Sequence, residues 1–141
     1  MLSYRHTVQY YETDKMGITH HSNYIRWMEE ARVALLEDMD FSYRRLEEMG
    51  IISPVMALEC KYKAPTTFAD CIDVQVGVES FNGVVLRMRY RMLKQDGTLA
   101  CEGHSEHCFL NEQGHFIRLK RDYPDFFAAL MARVEGDATD H

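Results

Sequence analysis

Tyr10-Tyr11-Glu12-Thr13-Asp14-Lys15-Met16-Gly17-Ile18-Thr19-His20-His21-Ser22-Asn23-Tyr24 ends at a predicted helix start and sets Asp14 seven residues ahead of His21. From Tyr24 onward, Tyr24, Met28, Ala31, Leu35 and Met39 fall at offsets of four, seven, eleven and fifteen, which is one face of an α-helix. Glu29, Arg32 and Glu37 take other faces, while Ile25, Trp27 and Leu36 widen the apolar surface, so the helix is expected to be enclosed on more than one side. Ser22 and Asn23 are both good capping residues at its start, and Asn23 is read as the cap and as a positioner of the site. A helix beginning there leaves unpaired backbone N–H groups and a positive dipole end facing whatever precedes it, which favours an anion or polarises a carbonyl. Asp14 and Gly17 occupy that position.

Beyond the helix, a short second helix is expected near Ser42 to Met49, closed by Gly50. The period then changes to two. Segments around 55–63, 71–81, 84–95 and 98–110 read as strands longer than the usual ~5–6 residues. In the third, Leu86, Met88, Tyr90 and Met92 share one face and Arg87, Arg89 and Arg91 the other. A two-residue turn at Asn82-Gly83 would set Val78 opposite Arg87 and mix the faces, so an odd-length loop or a bulge is expected, with Glu79 opposite Arg87. A two-residue turn at Asp96-Gly97 pairs Arg91 with Glu102, Arg87 with Glu106, Met92 with Cys101 and Met88 with Ser105, which compensates the arginine row. An amphipathic piece near Asp125 to Val134 follows, and 135–141 reads as a polar, frayed tail to a single domain over 1–134.

At 141 residues the chain has room for one core. No apolar stretch approaches the ~18 residues of a spanning helix, and Met1 to His6 lacks the apolar centre of a signal peptide, so a cytoplasmic, non-membrane protein is expected. Cys60, Cys71, Cys101 and Cys108 have no close pairwise spacing and read as reduced, buried thiols. A net charge of −6 without a basic stripe argues against a nucleic-acid partner. Neither His20-His21 nor His104 and His107 have the convergent partners of a metal site, and no metal or other cofactor is expected.

The run Asp14, Gly17, His21, Asn23 and Tyr24, followed by Ile25-Arg26-Trp27-Met28-Glu29-Glu30-Ala31-Arg32, resembles the hotdog-fold acyl-CoA thioesterases of the 4-hydroxybenzoyl-CoA thioesterase and YbgC-like type. The likeness extends over residues 4 to 120, departing at Lys15-Met16, where many relatives carry smaller residues. It implies an α+β hotdog fold, a long antiparallel sheet wrapped around a central helix. It also implies hydrolysis of an acyl-CoA thioester, with Asp14 as general base or nucleophile and the His21 backbone N–H polarising the thioester carbonyl. Gly17, Asn23 and Tyr24 belong to the same motif. An acyl-carrier-protein substrate is the near alternative, and a noncatalytic acyl-CoA-binding or sensing module the alternative of another class. Relatives run the pantetheine arm between subunits, which singles out Tyr62 and Lys63 and implies a homodimer with composite sites, assembling further into a homotetramer.

Several residues admit two readings. Ser105 and His107 should face the helix, either lining a pocket or bonding locally in the core. Glu59 either reaches a neighbouring subunit or sits exposed. Lys61, Lys63, Arg118, Lys120 and Arg121 could meet the phosphates of CoA or serve solubility alone. The acyl pocket is expected around Trp27, Met28, Met56 and Phe81.

Overall fold

In the computed structural model, which describes residues 1–135, helix α1 (Ser22–Asp38) lies in the hollow of a five-stranded antiparallel sheet. The strands are β1 (Leu2–Thr7), β2 (Val55–Tyr62), β3 (Cys71–Phe81), β4 (Leu86–Leu93) and β5 (Leu99–His107), in the order β1-β3-β4-β5-β2. Short helices α2 (Tyr43–Glu48), α3 (Leu119–Asp122) and α4 (Pro124–Arg133) close one end. No helix among the described residues is long and apolar enough to cross a membrane.

The core follows the two periodicities. Ile72, Val74, Val76 and Val78 of β3 and Leu86, Met88, Tyr90 and Met92 of β4 turn the same face inward onto Tyr24, Trp27, Met28, Ala31 and Leu35 of α1, all buried. Each large side chain so enclosed contributes about 1.5–3 kcal/mol. Helix α1 is also closed on the side of Arg32, which is buried at 8% exposure rather than turned to solvent, whereas Ile25 stays exposed.

The bulge expected in the β3–β4 hairpin is present. Asn82 Oδ1 accepts from the N–H groups of Val84 and Val85, so Asn82 to Val85 form a four-residue loop instead of a tight Asn-Gly turn. Register shifts between Val78 and Ser80, leaving Glu79 bulged and ion-paired with Arg87, whose direct partner is Ser80. In the β4–β5 hairpin the expected pairs all form, Arg91 with Glu102, Arg87 with Glu106, Met92 with Cys101 and Met88 with Ser105. The turn itself differs from expectation. Lys94 N–H donates to the Thr98 carbonyl at 2.9 Å, so the loop holds Gln95, Asp96 and Gly97, with Gly97 at φ +87°. Leu93 then pairs with Leu99, and an irregularity at Ala100 returns the ladder to register. A three-residue loop with glycine in the left-handed region suits the twist of the strands as well as a two-residue turn does.

One further departure has a physical cause. Strand β1 was not expected, because Ser3, Arg5 and His6 dilute its alternation, yet it is held by six residue pairs with β3. The α2 start is as expected, Ser42 Oγ accepting from Arg45 N–H, with Gly50 at φ +75° beyond its end. The tail read over 135–141 lies outside the described residues beyond Glu135, whose own N–H donates to the Val78 carbonyl at 3.0 Å.

Candidate active site

Residues 12–24 fold back on themselves before α1. Thr13 bridges Thr19, Ile18 bridges Thr67, and Gly17 turns the chain at φ +80° with nothing near its missing Cβ, so its requirement is conformational. Asp14 donates its N–H to the Ile18 carbonyl at 2.9 Å. Its Oδ1 accepts from Met16 N–H at 2.8 Å, and its Oδ2 has no partner among the described residues.

Asn23 does not cap the helix. The capping position falls on His21, and the His20 ring substitutes for a capping side chain, its Nδ1 accepting from Ser22 N–H at 3.2 Å. Asn23 is buried inside the first turn, where its Nδ2 donates to the Glu12 carbonyl at 3.0 Å and the His20 carbonyl at 3.2 Å. Asn23 N–H also reaches the His20 carbonyl, at 3.0 Å, and Tyr24 N–H reaches that of His21, at 3.3 Å. Of the amides from His21 to Tyr24, that of His21 alone is left unpaired among the described residues.

Beside this helix end lies a cavity of about 470 Å³ lined by Ile18, Thr19, His21, Tyr24, Tyr62, Lys63, Ala64 and Pro65. Four of the residues singled out from the sequence, His21, Tyr24, Tyr62 and Lys63, therefore meet in one place. Asp14, Gly17 and Asn23 are not among its lining residues, and Asp14 is joined to it through the Ile18 carbonyl. The Tyr62 hydroxyl donates to the His21 carbonyl at 3.3 Å, and its ring meets that of Tyr24 edge-on at 5.3 Å. Burial, with the Cys60 thiol beside it, pushes the Tyr62 phenol up to about 12, so it remains a donor. Tyr24 is anchored in turn through its hydroxyl to Thr66 Oγ1 at 3.0 Å, and Thr66 Oγ1 to Thr19 Oγ1 at 2.6 Å.

The basic candidates, Lys63 at the cavity included, do not cluster. Lys63 pairs with Glu102 at 3.8 Å, Lys61 with Glu59 at 3.7 Å and Arg121 with Asp122 at 2.8 Å, and Lys120 sits over the Phe127 ring. Glu59 is exposed. Trp27, Met28 and Phe81 are core residues, whereas Met56 is half-exposed on β2, so the four do not enclose a common pocket. Ser105 and His107 do face α1, but in a local chain. Tyr90 hydroxyl and Ser105 Oγ lie 2.7 Å apart, Ser105 Oγ and His107 Nε2 2.7 Å, and Arg32 Nη1 reaches His107 Nε2 at 3.5 Å. Burial first, and then the Arg32 charge, push His107 down to about 4. The cysteines are free thiols, Cys60 and Cys71 half-buried and Cys101 and Cys108 buried. Among the described residues no three His, Cys, Asp or Glu side chains converge as metal ligands.

Sequence reasoning overlooked Glu12. Its carboxylate is 4% exposed and accepts from Gln9 N–H, His6 Nε2 and Trp27 Nε1, each at 2.8 Å. Burial opposes its charge, but these donors outweigh it and hold the carboxyl below the usual carboxylate range. The available signal was the indole of Trp27, a buried donor that requires an acceptor.

An unpaired amide at a helix start, beside a largely apolar cavity and a carboxylate-bearing loop, suits a hydrolase acting on an activated carbonyl. The fold is the hotdog, and with this site it defines a thioesterase. The profile of the thioesterase-like superfamily matches residues 8–131. YneP of Bacillus subtilis (strain 168) is 35% identical over 123 residues, 86% of this chain and 89% of that protein. The acyl-CoA thioester hydrolase YbgC of Escherichia coli O6:H1 is 28% identical over 95 residues, 67% of this chain and 71% of that protein. The structure of the DHNA-CoA thioesterase from Staphylococcus aureus superposes with a TM-score of 0.88 at 33% identity, covering 92% of this chain and 88% of that one. The chain belongs to the thioesterase-like superfamily.

Proposed function

We propose that the protein hydrolyses acyl-CoA thioesters to a free carboxylic acid and CoA at the cavity beside the α1 N-terminus. The observation that carries this reading is the unpaired His21 N–H. A thioester carbonyl seated against it gains a donor that strengthens as the oxygen takes up negative charge, aided by the positive end of α1. Asp14 Oδ2, without a partner of its own, either takes a proton from the attacking water or attacks the carbonyl carbon itself. In the first route the water oxygen bonds to carbon, the C–S bond breaks, and the thiolate of CoA leaves with the proton that Asp14 held. In the second, an Asp14 oxygen bonds to the carbonyl carbon, the C–S bond breaks and CoA leaves as its thiolate, and water then cleaves the Asp14 anhydride to the free acid and the Asp14 carboxylate, its proton passing to the thiolate. In this reading Lys63, which lines the cavity, exchanges its pairing with Glu102 for the phosphates of the CoA arm.

The enzyme works as a homodimer. Strand β2 is a sheet edge with apolar residues bare on both faces, Val55 and Met56 at 50% and Tyr62 at 47% exposure, and its pairing with a second copy removes that edge. Because Tyr62 and Lys63 end β2, such a junction brings each cavity against the other subunit, making composite sites. Thiol release by wild type and Asp14→Asn, without added metal, over aromatic and aliphatic acyl-CoAs tests the reading. Turnover abolished by the substitution supports it. Unchanged turnover removes Asp14 from the mechanism, and silence across the panel with measurable CoA binding favours a carrier-protein substrate or a sensing module.

A further inference from the structure

We infer that Glu12 is a positioning residue of the active site, aiming the His21 N–H through Asn23 and the His20–His21 peptide. The inference rests on the proposed thioesterase mechanism. A trans peptide holds its C=O and N–H on opposite sides. The His20 carbonyl is turned toward Asn23, which donates to it from both its backbone and its side chain, so the His21 N–H of the same peptide is directed away. What fixes Asn23 is Glu12. The Glu12 carbonyl accepts from Asn23 Nδ2 at 3.0 Å and from His20 N–H at 2.8 Å, so it also holds the preceding Thr19–His20 peptide, on the other side of the His20 Cα.

The side chain explains why the backbone of residue 12 can serve as an anchor. Three donors from three parts of the fold converge on one buried carboxylate, His6 from β1, Gln9 from the turn before it, and Trp27 from α1. A carboxylate, with acceptors alone on both oxygens, satisfies all three, whereas an amide must turn an N–H group toward at least one donor. The anchor therefore ties the outer strand, the central helix and the helix entry to a point two residues before Asp14. Loosening it lets the His20–His21 peptide rotate, and the donor for the oxyanion rotates with it, while the cavity walls at Tyr24, Tyr62 and Pro65, held by Thr66 and β2, remain in place.

The test is a double-mutant cycle of Glu12→Gln and Asn23→Ala with an acyl-CoA that the wild type hydrolyses. Each single variant is expected to lower kcat by about 10- to 100-fold, part of the loss seen when an oxyanion donor is removed outright, with KM kept within about twofold. The double variant should lose no more than the worse single one, because both act on one peptide. Unchanged kcat in Glu12→Gln, a loss confined to KM, or multiplied losses in the double variant would each overturn the inference. Should Glu12→Gln fail to fold, Trp27→Phe removes one donor and keeps the ring, and a kcat drop of about threefold or more at constant KM is expected, none being contrary. The ¹H–¹⁵N resonance of His21, read without substrate, should shift in every one of these variants, and a stationary resonance also overturns the inference. A wild type without any thioester hydrolysis would instead defeat the proposed function, and the resonance would still judge Glu12.

Discussion

Acidification should weaken the wild-type fold through His107, and replacing that residue by glutamine should remove most of the effect. His107 is wholly buried and accepts at Nε2, where Arg32 approaches at 3.5 Å, so folding requires the imidazole neutral. Burial, followed by the Arg32 charge, depresses its folded value to about 4, against about 6.5 in the unfolded chain. Below the unfolded value the unfolded state binds the extra proton, and stability falls as pH falls, until the folded imidazole also protonates near 4. Between about pH 7 and about pH 4.5 the linkage relation gives a loss of about 2 kcal/mol from this residue. Urea denaturation of wild type and His107→Gln at both pH values, at one protein concentration because association adds to apparent stability, isolates the contribution by difference. The glutamine variant can still accept from Ser105 and Arg32, and it should be about 2 kcal/mol less sensitive to the change. Equal losses in the two proteins would refute the argument that His107 folds uncharged against Arg32.

Gly103→Ala should destabilise by about 2–3 kcal/mol in thermal or urea unfolding, since a Cβ there meets the Glu59 backbone carbonyl and lies 2.7 Å from Met28 Cε. Ser42→Ala removes the acceptor for Arg45 N–H at the start of α2 and should cost about 1 kcal/mol with no change in kcat. Tyr62→Phe frees the His21 carbonyl of its phenolic donor, and kcat on the preferred acyl-CoA should fall by about threefold to tenfold with the fold's stability little altered.

The helix and the sheet were legible because their periodicities are long and strong. Val74 to Val78 and Leu86 to Met92 alternate without interruption, and faces fixed by burial leave the register little freedom. The cavity residues His21, Tyr24, Tyr62 and Lys63 were legible only through the resemblance, the first two from its motif and the last two from the path it implies for the pantetheine arm. The capping half of the Asn23 reading failed because a capping residue at the first or second helical position looks alike in a sequence, and the His20 ring competes for the capping role only once the loop is folded. Glu12 was missed for a related reason, since the Trp27 indole announces an acceptor without saying which. Its three donors come from residues 6, 9 and 27, and nothing local marks a carboxylate among tyrosines as buried. Strand β1 gains its definition from β3, not from its own residues.

The irregularity at Ala100 has an implication for how this gene product can tolerate change. One extra residue at the tip, Gln95 to Gly97, is absorbed within a few positions by a displaced ladder step, and the arginine–glutamate rungs beyond it never register the difference. The helix entry has no such slack, since Glu12, His20 and Asn23 are fastened to one another across eleven residues, with Asp14 inside the span. A short peptide tag placed after Asp96 should therefore leave a working enzyme, whereas even one added glycine between Asp14 and Gly17 should yield a folded but inert one.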